Sequence, residues 1–224
     1  MTNHRLKLIT TEDGSHSLLR EDLNETYHSF HGARSESAYV FIEQCLHYYA
    51  EHTKKGPIRI FEVGFGTGLN AFLAAAYAAE HQLSLEFHTV EPFPVKPDIY
   101  QQLNFGQSEE ERSLLNALHE SGWESPRSIT NHFSLVKYEN TLEDFSATRD
   151  FDMIFFDAFA PSKQAEVWEL TNLKKCFDLL QPGGILTTYC AQGQFKRNLA
   201  AAGFEVQTLK GAMGKKEMVR GVKN

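Results

Sequence analysis

Two periods of apolar residues run through the chain. Leu6-Lys7-Leu8-Ile9 and His16-Ser17-Leu18-Leu19 alternate around Asp13-Gly14, a turn-forming dipeptide, and predict a β-hairpin. Val40, Phe41, Cys45, Leu46 and Tyr49 fall on one face of a helix over Ala38–Tyr49. Ile58–Val63 is an apolar, β-branched run that reads as a buried strand, and the Ala-rich Ala71–Ala79 after it reads as a helix. Leu85–Val90 alternates as a second strand. Pro92, Pro94 and Pro97 then forbid regular structure until Asp98–Leu103 and Glu109–Glu120, which are helical up to a break at Ser121-Gly122-Trp123. Phe133–Val136, Phe151–Asp157 and Ile185–Cys190 are further strands. A helix from the turn at Trp168 through Leu180 stops at Gln181-Pro182-Gly183-Gly184, and a short one covers Phe195–Ala202. Glu205–Leu209 and Glu217–Val222 close the pattern as an antiparallel hairpin. Strands alternating with helices predict an α/β fold, a Rossmann-like seven-stranded sheet with helices on both faces. An N-terminal β-hairpin and helix extension over 1–55 is expected to pack on a core unit over 56–224.

The strand at 58–63 runs into Gly64-Phe65-Gly66-Thr67-Gly68-Leu69-Asn70. Glycine lets the chain bend at positive φ, bring backbone against a ligand and aim the next helix N-terminus at it. The spacing is G-x-G-x-G with Glu62 two residues ahead, not the G-x-G-x-x-G of dinucleotide folds. Glu91 ends the next strand about twenty residues on, where doubly wound folds place a carboxylate for ribose hydroxyls. Phe151–Phe156 ends in Asp157, followed by Ala158-Phe159-Ala160-Pro161. Ligands sit beyond the carboxyl ends of strands in such sheets, so Asp157 should stand beside the glycine turn.

Length and charge narrow the class. The 224 residues, 42% of them hydrophobic, suffice for one sizeable core. Apolar runs are short and interrupted by charge, and Met1-Thr2-Asn3-His4-Arg5 leads into no signal-peptide core, so a cytoplasmic protein without a membrane segment is expected. Cys45, Cys176 and Cys190 are far apart and the ten histidines form no ligand pattern, so no metal is expected. The net charge of −7 divides unevenly. Residues 191–224 carry seven basic against two acidic side chains, a balance of +5 that permits a local phosphate-binding face. Lys210, Lys215, Lys216 and Arg197 are its candidates as a group. Residues 24–37 mix tyrosine, histidine and arginine without a period and are read as a lid or substrate loop, with Tyr27 and Arg34 as substrate contacts.

The turn resembles motif I of class I S-adenosylmethionine-dependent methyltransferases, and Asp157-Ala158-Phe159-Ala160-Pro161 resembles the substrate-amine motif of amino-group methyltransferases. Glu62–Asn70, Phe156–Lys163, Trp168, Pro182-Gly183-Gly184 and the Lys210–Met218 stretch together resemble the methyltransferase component of the MnmC/MnmD family over nearly the whole chain. Asp13-Gly14-Ser15 and Tyr27-His28-Ser29…Gly32-Ala33…Glu36-Ser37 follow its pattern too. The basic loop departs from it, reading Gly211-Ala212-Met213-Gly214-Lys215-Lys216 where relatives more often have Gly-Phe-Gly and an arginine.

The resemblance implies methylation of 5-aminomethyl-2-thiouridine at the tRNA wobble position, with tRNA bound by its anticodon loop. S-adenosylmethionine is then the cofactor, with Glu62, Gly64, Gly66, Gly68, Asn70, Glu91, Glu139 and Asp157 as its contacts. Glu143 and Asp144 compete with Glu139 for the adenine. Bifunctional members add a flavin oxidase domain; no second glycine fingerprint is present here, so no FAD and methyl transfer alone are expected. Asp157, Phe159 and Pro161 would form the catalytic pocket. An unperturbed aspartate lies about six pKa units below an alkylammonium, which makes Asp157 a holder of the amine and not its base. The rival readings are a methyltransferase for a small-molecule amine and a catalytically inert tRNA-binding module.

Overall fold

The computed structural model describes residues 5–53, 56–146 and 150–224. Part of the N-terminal stretch read for a signal core, Met1 to His4, and part of the expected boundary at 55/56 fall outside them. The hairpin forms as β1 (Leu6–Thr10) and β2 (His16–Arg20), and a two-residue β3 (Glu25–Thr26) adds to it within the stretch read as an irregular loop. That stretch also starts helix α1 (Ala33–Ser37). The helix continues through a π-helical segment, Ala38–His47, into α2 (Tyr48–His52). Val40, Phe41, Cys45 and Leu46 are buried on it and share one core with Ile60, Phe87 and Phe155 of the main sheet.

The main sheet comprises β4 (Ile58–Val63), β5 (Leu85–Val90), β6 (Arg127–Thr130), β7 (Phe133–Tyr138), β8 (Phe151–Phe156), β9 (Leu180–Thr188), β10 (Glu205–Lys210) and β11 (Glu217–Val222). Their order is β10-β11-β9-β8-β4-β5-β7-β6, parallel from β9 to β7 and antiparallel at both margins. The seven expected strands are all present, and β6 adds an eighth at one edge. It escapes sequence reading because Arg127-Ser128-Ile129-Thr130 is a short, largely exposed margin strand held by a bulged register with β7. β9 also starts earlier than Ile185. It follows directly on a helix over Leu170–Leu179, because Gly183 N–H donates to Lys223 O at 2.6 Å and Lys223 N–H to Gly184 O at 2.9 Å, ties that draw Pro182–Gly184 into the bulged start of β9.

Helices fill both faces: α3 (Leu69–His81), α4 (Pro97–Tyr100), α5 (Glu109–Glu120), α6 (Leu170–Leu179) and α7 (Gly193–Ala201). α5 starts on a capping box in which Ser108 and Glu111 satisfy each other's backbone N–H. α3 starts directly out of the glycine turn, with Gly68 at φ 73 as its N-cap. The chain leaves β4 toward β5 and β7 on one side and returns at β8 on the other. The topological switch point therefore lies between β4 and β8, and it opens a crevice at their carboxyl ends.

Candidate active site

Backbone hydrogen bonds lock the three strand ends that meet there. Gly64 N–H donates to Val90 O at 3.0 Å, Asp157 N–H to Val63 O at 3.1 Å and Glu91 N–H to Tyr138 O at 2.9 Å. Gly64, at φ 94, lies so close to β8 that an added Cβ would stand 2.8 Å from Asp157 O. Gly66, at φ 50, would put one 3.0 Å from the Tyr27 ring. Gly64 is required by crowding against backbone as well as by dihedral angle, and Gly66 by its positive φ with the Tyr27 ring in tight contact. Glu91 is buried and accepts from Gly66 N–H (2.9 Å) and Phe93 N–H (2.8 Å), one bond on each oxygen.

Two cavities meet at Asp157. The larger, about 1090 Å³ out to its mouth, is walled by Gly64–Thr67, Asn70, Glu91, Phe93 and Thr141–Glu143. Arg20, paired with Asp22 at 3.1 Å, faces it between the Phe93 and Phe159 rings. The smaller, about 520 Å³, is walled by Glu25, Glu36, Phe41, Tyr189 and Lys215. Tyr27, His28, Asp157, Ala158 and Phe159 belong to both walls. Tyr27 and Phe159 meet edge to face at 4.9 Å. The turn after Asp157 is pinned through its carbonyls: Tyr189 Oη donates to Ala158 O at 2.8 Å and Trp168 Nε1 to Phe159 O at 2.7 Å.

Burial pushes the Asp157 carboxyl up to about 7, with Asn70 donating against that shift, Glu36 adding to it and Lys215 opposing it. Asn70 Nδ2 donates to Asp157 Oδ2 at 2.8 Å, while Asn70 Oδ1 is buried without a hydrogen-bond partner among the described residues. Burial likewise raises Glu62 well above the carboxylate range, although Thr89 donates to it at 2.8 Å. His28 is pushed down to about 4 by burial and is neutral near pH 7. An unpartnered amide oxygen, a tied carboxylate at a strand end and backbone exposed by glycine fit an adenosyl cofactor with its ribose and amino-acid groups.

Of the residues singled out in the sequence, Gly64, Gly66, Asn70, Glu91 and Asp157 lie on the larger wall, and Phe159 and Tyr27 on both. Other residues lie elsewhere. Glu62 is buried behind the wall, and Gly68 caps α3 against Phe65 and His119. Glu139 is exposed off the wall, its N–H bonded to Glu124; the bend after β7 presents Thr141, Leu142 and Glu143 instead. Pro161 lies past both cavities. Arg34 turns away from them to donate to Phe105 O at 2.5 Å and lie over the Phe72 ring, because a helix begins at Ala33 and fixes its direction. Lys210, Lys216 and Arg197 are exposed, whereas Lys215 reaches inward to Glu36. Tyr189 and Arg20 line the cavities from outside the stretches the sequence singles out for the site, whereas Thr67, His28 and Glu36 come from the glycine turn and the 24–37 loop without being individual candidates. Glu36 and Lys215 are 179 positions apart, so only the fold pairs them.

Residues 129–224 match the profile of a family described as S-adenosyl-L-methionine-dependent methyltransferases. The chain is 32% identical over 216 residues to the tRNA 5-methylaminomethyl-2-thiouridine biosynthesis bifunctional protein MnmC of Pseudoalteromonas atlantica, covering 88% of this chain and 30% of that protein. It is 30% identical over 211 residues to the protein of the same name from Pseudomonas fluorescens, covering 88% of this chain and 32% of the other. It thus spans about a third of the length of these curated relatives. Among solved structures, MNMC2 from Aquifex aeolicus superposes with a TM-score of 0.78 at 22% identity, over 98% of this chain and 70% of that one. Spermidine synthase from Thermotoga maritima superposes with a TM-score of 0.60 at 10% identity, over 100% of this chain and 70% of that one. The fold is that of the class I methyltransferases, the C-terminal part of the chain matches an S-adenosyl-L-methionine-dependent methyltransferase family, and the chain is similar to about a third of the length of the MnmC proteins.

Proposed function

We propose that the chain methylates the primary amine of 5-aminomethyl-2-thiouridine at the tRNA wobble position, in the cytoplasm, with S-adenosylmethionine as donor. The observation that carries the reading is the position of Asp157, whose carboxyl is shared by a cofactor-sized cleft and a smaller aromatic and acidic cavity. The names of the relatives, which concern this nucleoside, support the substrate.

Bound S-adenosylmethionine supplies an electrophilic sulfonium methyl. Glu91 would accept its ribose hydroxyls, Asn70 Oδ1 and Arg20 would meet its amino-acid end, and Thr141 and Glu143 would lie toward its base. Asp157 would hold the amine N–H groups so that the nitrogen lone pair points into the larger cleft. It also stabilises the positive charge that grows on nitrogen. The mismatch that makes an ordinary aspartate a poor base is smaller here. With its carboxyl held at about 7, the gap to an alkylammonium near 10 is about three units, so proton acceptance through this group is within reach. Tyr27 and Phe159 would enclose a base drawn out of the anticodon loop, and exposed Lys210, Lys216 and Arg197 would meet phosphates.

The test is transfer of labelled methyl to tRNA from cells lacking the protein, followed by nucleoside mass analysis. One added methyl on aminomethyl-thiouridine, lost with Asp157→Ala, is the expected result. Label on small amines with unlabelled tRNA would overturn the tRNA assignment and leave the methyltransferase assignment standing.

A further inference from the structure

The smaller cavity already contains an alkylammonium. Lys215 lies on a loop tied at its start by Tyr39 Oη, which donates to Lys210 O at 3.1 Å, and turned by Met213 and Gly214 at φ 46 and 80. From there its Nζ donates to the carboxylate of Glu36 and lies 4.7 Å from the centre of the Tyr189 ring. Glu36 is 7% exposed and one of its oxygens is held by Ser29 N–H at 2.9 Å, which leaves the other, the one Lys215 takes, on the cavity side. A carboxylate below and an aromatic face beside is the environment that selects a primary ammonium on a flexible carbon stem. Lys215 is itself such a group, and its side chain is 37% exposed, so it can leave toward solvent.

We propose that Lys215 is a resident stand-in for the substrate amine, occupying the Glu36 subsite in the free protein and displaced from it when an aminomethyl nucleoside enters. This rests on the amine-methylation reading above. Displacement turns the Lys215 ammonium outward beside exposed Lys216 and Lys210, where anticodon-loop phosphates can take it up. On entry the exchange leaves no carboxylate unpaired, because Glu36 trades one ammonium for another; the amine then gives its proton to Asp157, on the wall of the same cavity, before its nitrogen can take the methyl. The exchange also rejects nucleosides that cannot replace the lost ion pair, such as 5-methyl-2-thiouridine, which has the same ring and no amine.

The test uses free 5-aminomethyl-2-thiouridine nucleoside, which has no phosphates, titrated calorimetrically into the full chain loaded with S-adenosylhomocysteine. Lys215→Met keeps the stem and removes the competitor, so affinity should rise about fivefold. Lys215→Arg should stay near the parent. Glu36→Gln retains an oxygen for Ser29 N–H and should weaken binding about tenfold or more. 5-Methyl-2-thiouridine should not distinguish Glu36→Gln from the parent. Unchanged or weaker nucleoside binding in Lys215→Met overturns the proposal, because Lys215 would then be a structural pin or a direct contact. If the parent methylates aminomethyl tRNA and Lys215→Met does not tighten the nucleoside, the stand-in is wrong and the function stands. If the parent leaves that tRNA unmethylated, the function is what failed.

Discussion

The glycine turn and the basic loop are both glycine-containing connections at the mouth of the site, yet they work in different ways. The turn at Gly64–Gly68 is fixed by backbone: its N–H groups bond Val90 O and the Glu91 carboxylate, Gly64 lies against Asp157 O where no side chain fits, and Gly66 lies against the Tyr27 ring. The loop at Lys210–Lys216 acts through side chains, of which Lys215 turns in to Glu36 while Lys210 and Lys216 stay out. A backbone site is specified by a few neighbouring residues. A side-chain site depends on where distant parts of the chain end up, and it can be rearranged by its ligand.

The comparison breaks first at Asp157, the residue that faces both regions. Asp157→Ala should lower the rate of methyl transfer by about 10²–10³, with S-adenosylmethionine affinity by calorimetry changed far less. Retained turnover would move the chemistry elsewhere in the smaller cavity. Gly64→Ala comes next. A methyl 2.8 Å from Asp157 O at φ 94 meets backbone that cannot yield, so a stability loss of about 2–3 kcal/mol in urea unfolding is expected. Ordinary stability in that variant would show that β4 and β8 can separate. Glu91→Gln weakens two backbone bonds and, on the proposed reading, the ribose acceptor, and cofactor affinity should fall about tenfold.

A pH series sharpens the same contrast. Burial holds the folded Asp157 carboxyl at about 7, above its unfolded value, so the folded state binds the extra proton. That contribution is complete below about pH 4 and is lost as pH rises through about 7. Asp157→Asn, which cannot ionise, should therefore gain in thermal midpoint relative to the parent between pH 5 and 8. A constant difference across the series would mean that the carboxyl ionises as an ordinary surface acid. The smallest effects belong to the exposed cations. Lys210→Gln, Lys216→Gln and Arg197→Gln should each change KM for tRNA about twofold and reduce the salt slope by less than about one, the share of a single phosphate contact.

This contrast also explains what could be read without the fold. The β4 strand, its glycine turn, Glu91 and Asp157 are legible because local spacing dictates them: a strand must end, turn without Cβ atoms and present an acid at the next strand end. The direction of Arg34 is not legible, because its polarity says nothing of the helix opening at Ala33 that turns it toward Phe105. Choosing among Glu139, Glu143 and Asp144 needs the fold, because the bend after β7 brings Thr141–Glu143 to the wall. β6 has too little apolar content to announce itself. Glu36, Tyr189 and Lys215 come from three separate stretches, and no spacing rule connects them.

The Tyr27 ring, set against Gly66 on one side and Phe159 on the other, is a common wall of both cavities. Whatever occupant shifts that ring does so on behalf of the other. If the cofactor, once bound, changes the affinity for the nucleoside by some factor, the nucleoside must change the affinity for the cofactor by the same factor. The spent cofactor and the methylated base would then leave at rates that depend on each other, and turnover would carry the signature of a shared door.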